Sequence, residues 1–245
     1  TLDGAGYTLQ GGGNGTGIDL SGRSNVTIEN FNIESFKEGV YALSSSDNVI
    51  IGNEIRESET GIKFVTSSNN ALVDNRISHA HLYPTPTGPF LIDYFYGIDI
   101  SGDSPNNNIT GNWISGRWGT YVSFDIGHVG IDLISSSEST LVSRNHVTNC
   151  TYAIGGGGSG SSVSENNIEN SGTGILVSSY VTVSNNTIRN NGVGIGLGFL
   201  SSFNTVTGNI LEENGFGITL EGHILPSYPN CPSNNTISYN NITGN

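Results

Sequence analysis

Residues 163–176 read VSENNIENSGTGIL, and residues 183–196 read VSNNTIRNNGVGIG. Both place an apolar residue, two variable residues, an asparagine, one variable residue and a second apolar residue in order: Val163–Asn166–Ile168 and Val183–Asn186–Ile188. Eight residues after each asparagine stands a glycine, Gly174 or Gly194, followed by an isoleucine. Working outward, the same spacing recurs at Ile50–Asn53–Ile55, Leu72–Asn75–Ile77, Ile109–Asn112–Ile114, Val142–Asn145–Val147, Val206–Asn209–Leu211 and Ile237–Asn240–Ile242. Gly61 and Gly217 keep the glycine spacing, and Ala153 replaces it once. The first coils are less regular, because Asn30 is followed by Phe31-Asn32-Ile33, one residue off the pattern.

A strand this short cannot bury a face alone, so successive repeats must stack at about 4.8 Å around one shared core. Alternate apolar residues then point inward, and the residues between them form outward rows along the stack. The spacing therefore predicts an all-β, right-handed parallel β-helix of about ten coils over residues 1–245, with an internal asparagine ladder. Amides repeating at one site can bond from coil to coil, as in cross-β stacks, and so fix register. Glycine ahead of the inward isoleucine suggests a turn that needs positive φ.

Composition narrows the function. Asn, Ser and Thr number 31, 32 and 21, a mixture compatible with disorder, but Val and Ile recur in strand-like bursts and argue for order. Twenty-one acidic residues against eight basic ones give a net charge of -13, the wrong sign for tracking phosphates, so nucleic acid is excluded as a partner. No stretch approaches the ~18 apolar residues of a membrane-spanning helix. An extracellular, cell-surface or periplasmic setting is expected.

The opening TLDGAGYTL, the NVTIENFNI coil and the repeated NxI…GIxL coils closely resemble the parallel β-helix repeat family of carbohydrate-associated and NosD-like surface or periplasmic proteins. The resemblance spans nearly the whole chain and implies the solenoid fold. It implies little about activity, since the same solenoid hosts lyases, hydrolases, epimerases and non-enzymatic surface proteins. The Asp-Pro-His-Glu segment of alginate epimerases is absent, as are the Asp-Asp and Gly-His-Gly segments of polygalacturonases; Gly127-His128-Val129 is a poor substitute. The pectate-lyase arrangement of calcium-binding aspartates has no residue-by-residue match. Copper binding attaches to NosD relatives, but this chain has no Met and no clustered Cys.

Interruptions of the repeat are the places to look for function. Asn75 to Gly97 spans 22 residues and Asn112 to Gly130 spans 18, against 8 in a short coil. The two insertions, 79–96 and 116–129, fall in the same turn of adjacent coils. The first carries His79, His81, Tyr83, Phe90, Asp93, Tyr94, Phe95 and Tyr96; the second carries Arg117, Trp118, Tyr121, Phe124, Asp125 and His128. A third, 221–233, sits in a different turn. Flanking the pair, one outward row reads Lys63, Asp99, Asp132 and another reads Arg76, Trp113, His146. Two carboxylates near 5 Å could hold Ca²⁺ or act as acid and nucleophile, and aromatics offer flat faces to sugar rings. The candidate catalytic residues are thus Asp99, Asp132, Asp125 and His128, and the candidate substrate-binding residues are Arg76, Trp113, His146, Tyr94, Arg117 and Trp118. No cofactor is required; Ca²⁺ is the ion the carboxylates would take. His79, His81 and His128 form an alternative metal set. Against these stand plainer readings: loop aromatics packing on one another, and Asp99 and Asp132 neutralised by Lys63 or solvated.

Seven Asn-x-Thr sequons, at Asn14, Asn25, Asn108, Asn149, Asn185, Asn234 and Asn241, are candidate glycosylation sites. Cys150 and Cys231 permit one disulfide in an oxidising compartment, provided the third insertion bridges three or four coils. The chain opens inside a coil-like segment and closes on NNITGN, which suggests a segment of a larger protein or assembly. The leading expectation is a non-enzymatic extracellular or cell-surface module, glycan-binding and self-associating or contacting neighbouring surface proteins. The alternatives are a polysaccharide-active enzyme (lyase, hydrolase or epimerase) centred on Asp99 and Asp132, and a NosD-like periplasmic metal-handling protein.

Overall fold

The computed structural model describes residues 1–79, 95–117, 127–133, 137–198, 201–220, 223–225 and 228–245. Within them the chain winds through ten coils, each contributing one strand to each of two ten-stranded parallel sheets, and nine of them one strand to a third. The first sheet runs from Leu2–Asp3 to Thr236–Ser238, the second from Thr8–Gln10 to Asn241–Thr243, and the third from Thr16–Asp19 to Phe216–Leu220. This is the expected parallel β-helix, with the right-handed crossover that twisted parallel strands demand.

Away from the two ends of the stack, each short strand buries its central residue. Ile50, Leu72, Ile109 and Val142 fill the first sheet's share of the core, and Ile55, Ile77, Ile114 and Val147 the second's. Third-sheet strands are longer and bury two, as with Ile62 and Phe64 or Ile98 and Ile100.

The expected ladder lies between the first and second sheets. Asn75 Nδ2 donates to Ile50 O of the preceding coil at 2.8 Å and to Asn112 Oδ1 of the next at 3.0 Å, and the Asn75 backbone N–H donates to the same Oδ1 at 3.0 Å. Phe31 takes the ladder position in the second coil, and its N–H donates to Asn53 Oδ1 at 3.0 Å. The one-residue irregularity at Asn30 is thereby explained: Asn30 occupies the left-handed position ahead of the ladder (φ 58°), as Gly52, Asp74 and Gly111 do in later coils. Two further ladders were not read from the sequence. One, between the third and first sheets, links Asn48, Asn70 and Asn107, and later Asn204 and Asn235. The other, between the second and third sheets, links Ser171, Asn191, Asn214 and Asn245.

The glycines of the repeat have a different cause from the one expected. Positive φ belongs to residues just ahead of the ladders, whereas Gly61, Gly97 and Gly194 are not among them. A Cβ on Gly97 would lie 2.5 Å from Gly130 O and 2.5 Å from Ile114 Cγ2, so the next coil's backbone and the core exclude any side chain. The third insertion contains a two-stranded antiparallel pair, His223–Leu225 with Tyr228–Asn230.

Replacing Asn145 with alanine removes its bonds to Ile109 O and Asn166 Oδ1 and strips the buried Asn112 N–H of its acceptor. Asn145→Ala should lower unfolding free energy by ~2–4 kcal/mol in denaturant titration, since buried groups lose their partners. The exposed Asn241→Ala should shift it by less than about 0.5 kcal/mol.

Candidate functional site

The two long insertions leave the second sheet after Arg76–Ser78 and Trp113–Ser115, which pair in register, and enter the third sheet at Phe95–Ser101 and His128–Leu133, which also pair in register. The expected neighbourhood of the loops is therefore met at their roots. Each strand of the third sheet begins slightly inside the assigned insertion, at Phe95 and at His128. Tyr94, Trp118 and Asp125 of the candidate site, and His81 of the metal set, lie outside the described residues.

Strand pairing brings Lys63, Asp99 and Asp132 side by side on three successive coils. Lys63 Nζ lies 2.9 Å from Asp99 Oδ2. Burial works against the Lys63 ammonium, but the hydrogen bond to Asp99 and its charge outweigh that and hold the lysine above its ordinary value. Asp99 is 6% exposed, and its Oδ1 is buried with no hydrogen-bond partner among the described residues. Such an orphan acceptor needs an explanation: a bound donor or a strained working site. Asp132 is half-buried, and burial first, then the Asp99 charge, push its carboxyl up to about 6 against a smaller pull from Lys63. The two adjacent carboxyls thus differ in surroundings: Asp99 is paired with a cation, and Asp132 is inclined to hold its proton. With the ammonium already on Asp99, only Asp132 of this row offers Ca²⁺ an unengaged carboxylate. Among the described residues no group of three or more His, Cys, Asp or Glu could hold a metal ion.

The second row is assembled but internally satisfied. The Arg76 guanidinium lies 3.9 Å from the centroid of the Trp113 ring, and the His146 ring stacks on Trp113 at 6.2 Å and 9°. Arg76 also pairs with Glu54, and His146 bonds Asn167 at 2.9 Å and lies near Glu169. With both faces covered, Trp113 has no flat surface left for a sugar ring. Stacking of a saccharide on this row was a reading the geometry does not support.

His128 is also misplaced by the sequence reading. It is 2% exposed, its Nδ1 accepts the Arg117 backbone N–H at 3.0 Å, and its ring packs edge-on against His79 at 5.3 Å and near Phe95. Four residues of extended strand, about 13 Å, separate it from Asp132. It supports the loop roots and does not complete the aspartate pair. The cysteines are both free. Cys150 is fully buried at the position Asn191 holds in a later coil, its thiol pushed by burial up to about 12, while Cys231 is exposed outside the stack. The expected disulfide does not form because one partner points into the core. Of the seven sequon asparagines, all are exposed except Asn149, which is half-buried. A hollow of about 450 Å³ lined by Asp3, Asn30, Asn32 and Glu54 lies at the first coils and touches the second row through the Glu54–Arg76 pair.

A solenoid with aspartates on one sheet and long loops at its rim defines a class of parallel β-helix proteins. The chain belongs to the right-handed β-helix family, whose model matches residues 7–168 and 129–245. No curated protein sequence matches it. Among solved structures it is similar to an alginate lyase from Paenibacillus sp. strain FPU-7 (16% identity, TM-score 0.52, covering 96% of this chain and 79% of that one). It is also similar to the catalytic unit of a GH87 α-1,3-glucanase from Streptomyces thermodiastaticus (16% identity, TM-score 0.52, 92% and 50%). The catalytic domain of a GH87 α-1,3-glucanase in complex with nigerose gives 18% identity and a TM-score of 0.50, over 90% of this chain and 50% of that one. At these identities the likeness is one of fold, and the chain spans about half of the glucanase structures. The expectation of a non-enzymatic surface module is corrected on this likeness: the three structures are of an alginate lyase and of α-1,3-glucanase catalytic domains.

The raised Asp132 carboxyl has a consequence for stability. Its folded value, about 6, exceeds its ordinary 3.8, so below about pH 4 it is protonated in both states and costs nothing. As pH rises toward and past 6 the unfolded chain ionises first, and the folded state loses stability by comparison. Asp132→Asn should therefore be more stable than the parent above pH 6 and equal to it below pH 4, measured as unfolding midpoints across pH. An offset that is the same at every pH would contradict this.

Proposed function

We propose that this protein is a polysaccharide-active enzyme that cleaves glycosidic bonds, with Asp99 and Asp132 as its working carboxylates. The observation that carries this reading is the in-register pair itself: Asp99 held by Lys63 and Asp132 raised to about 6, on strands entered by the two long insertions. Neighbouring parallel strands stand about 4.8 Å apart, close to the ~5–5.5 Å separation of carboxyls in glycosidases that retain configuration. In this role Asp132 gives its proton to the leaving glycosidic oxygen as the C–O bond breaks, the Asp99 charge steadies the cationic anomeric carbon, and a water attacks that carbon and returns a proton to Asp132. Lys63 is ion-paired with Asp99 and not with Asp132, so the two carboxyls are not interchangeable. The fold shared with an alginate lyase and α-1,3-glucanases supports a polysaccharide as the substrate class. An extracellular setting, with glycans on the exposed sequon asparagines, is consistent with such a substrate.

Activity should be sought by release of reducing ends, and of unsaturated ends, from a panel of polysaccharides. Asp99→Asn and Asp132→Asn should each lower turnover by about 10²–10⁴-fold, the range for loss of a positioned acid or base, with the coil stack intact by circular dichroism. Full turnover by both variants would exclude this pair as the catalytic machinery.

A further inference from the structure

Just ahead of the second ladder, the turn between the third and first sheets places one residue per coil in the left-handed conformation. From the second coil on these are Asn25, Asp47, Asn69, Asn106, Ser139, Gly160, Tyr180, Phe203 and Asn234, with φ between 52° and 78°. Small polar residues and glycine tolerate that conformation; bulky side chains clash with their own carbonyl and are rare there. Seven of the nine positions obey the rule. Tyr180 and Phe203, on consecutive coils, break it.

The rings they add are not buried. Tyr180 is 53% exposed and Phe203 51% exposed, and they stack face to face at 4.9 Å with an interplanar angle of 8°. The next rung on the Tyr180 side is Gly160, itself exposed, where an added Cβ would meet only Ser139 Oγ within 4 Å, at 3.3 Å. The stack therefore stops one rung short, and the rung left without a side chain is about the thickness of a pyranose ring. Two stacked rings presented to solvent rather than to the core, in a turn position otherwise held by small residues, mark a site and not a packing solution.

We propose that the Tyr180–Phe203 stack is an accessory saccharide-binding platform, which holds an uncharged sugar ring of a polysaccharide against the open face of Tyr180, over Gly160. The electron-rich ring face attracts the weakly positive C–H groups on the flat side of a pyranose, and no net charge on the sugar is needed. The platform rests on the reading of the protein as polysaccharide-active but is separate from its chemistry. Asp132 registers with Gly155 and Gly155 with Leu176, so Tyr180 lies two rungs along the stack and four residues farther around the coil. A chain engaged at Asp132 could extend toward it.

The test measures binding and cleavage separately. Affinity gel electrophoresis with dextran, starch, xylan and alginate in the gel reads binding, and cleavage of short soluble oligosaccharides reads chemistry. Tyr180→Ala, and Gly160→Asn, which fills the rung with a residue at ease in its conformation, should each weaken retardation about tenfold. Oligosaccharide cleavage and the unfolding midpoint should stay at parental values. Tyr180→Trp should restore binding, which a purely structural role for the ring would not require. Parental binding by Tyr180→Ala or by Gly160→Asn would overturn the platform, whatever the catalytic result. So would failure of the parent protein to bind any of the four polymers. Loss of cleavage in Asp132→Asn with retardation intact would instead support two separable sites; loss of cleavage in none of the aspartate variants would count against the catalytic reading alone.

Discussion

The structure depends on a buried side-chain amide that must meet its counterpart in the next coil. An asparagine such as Asn75 satisfies three demands at once: it closes a tight turn, caps a carbonyl of the preceding coil, and receives two donors from its own coil's neighbour. Each bond is modest, about 0.5–1.5 kcal/mol net, yet leaving a buried partner unpaired costs more. The ladder therefore penalises slippage by a single residue in any coil. Parallel strands of three residues, too short to choose their own register, inherit it from the turn.

The same constraint decides where the chain is free to leave the stack. At the turn between the second and third sheets the later coils hold Ser171, Asn191, Asn214 and Asn245 in line, bonded backbone to side chain. In the two coils with long insertions the chain departs just ahead of that position, at His79 and Gly116, which lack the left-handed φ that Glu57, Asn149, Asn170 and Asn190 hold in the other coils. Where the ladder lapses, the turn no longer has to be short, and loops can be inserted without disturbing the core. The aspartate pair lies on the strands those loops enter. Register then does for chemistry what it does for stability, because two carboxyls on adjacent coils cannot avoid one another. Burial and Lys63 make the two unlike: Asp99 is ion-paired with the lysine, and the Asp132 carboxyl is pushed up to about 6.

What the sequence by itself determined was the coil. The apolar–Asn–apolar spacing dictates strand, turn and inward face, because the period of the pattern is the period of the structure; the outward rows Lys63–Asp99–Asp132 and Arg76–Trp113–His146 followed from it by alternation alone. The second and third ladders escaped notice because Ser, Thr, Val and Cys alternate with Asn there, and only the stacked geometry shows that they hold one position. The tertiary structure also decided what the rows can do. Whether Trp113 offers a face to a sugar depends on Arg76 and His146 covering both sides, and whether His128 joins the aspartates depends on which way its strand turns into the core. Cys150 and Cys231 are separated for the same reason. These outcomes are set by burial and by neighbours one coil away, about twenty residues off in sequence, and spacing along the chain carries no record of them.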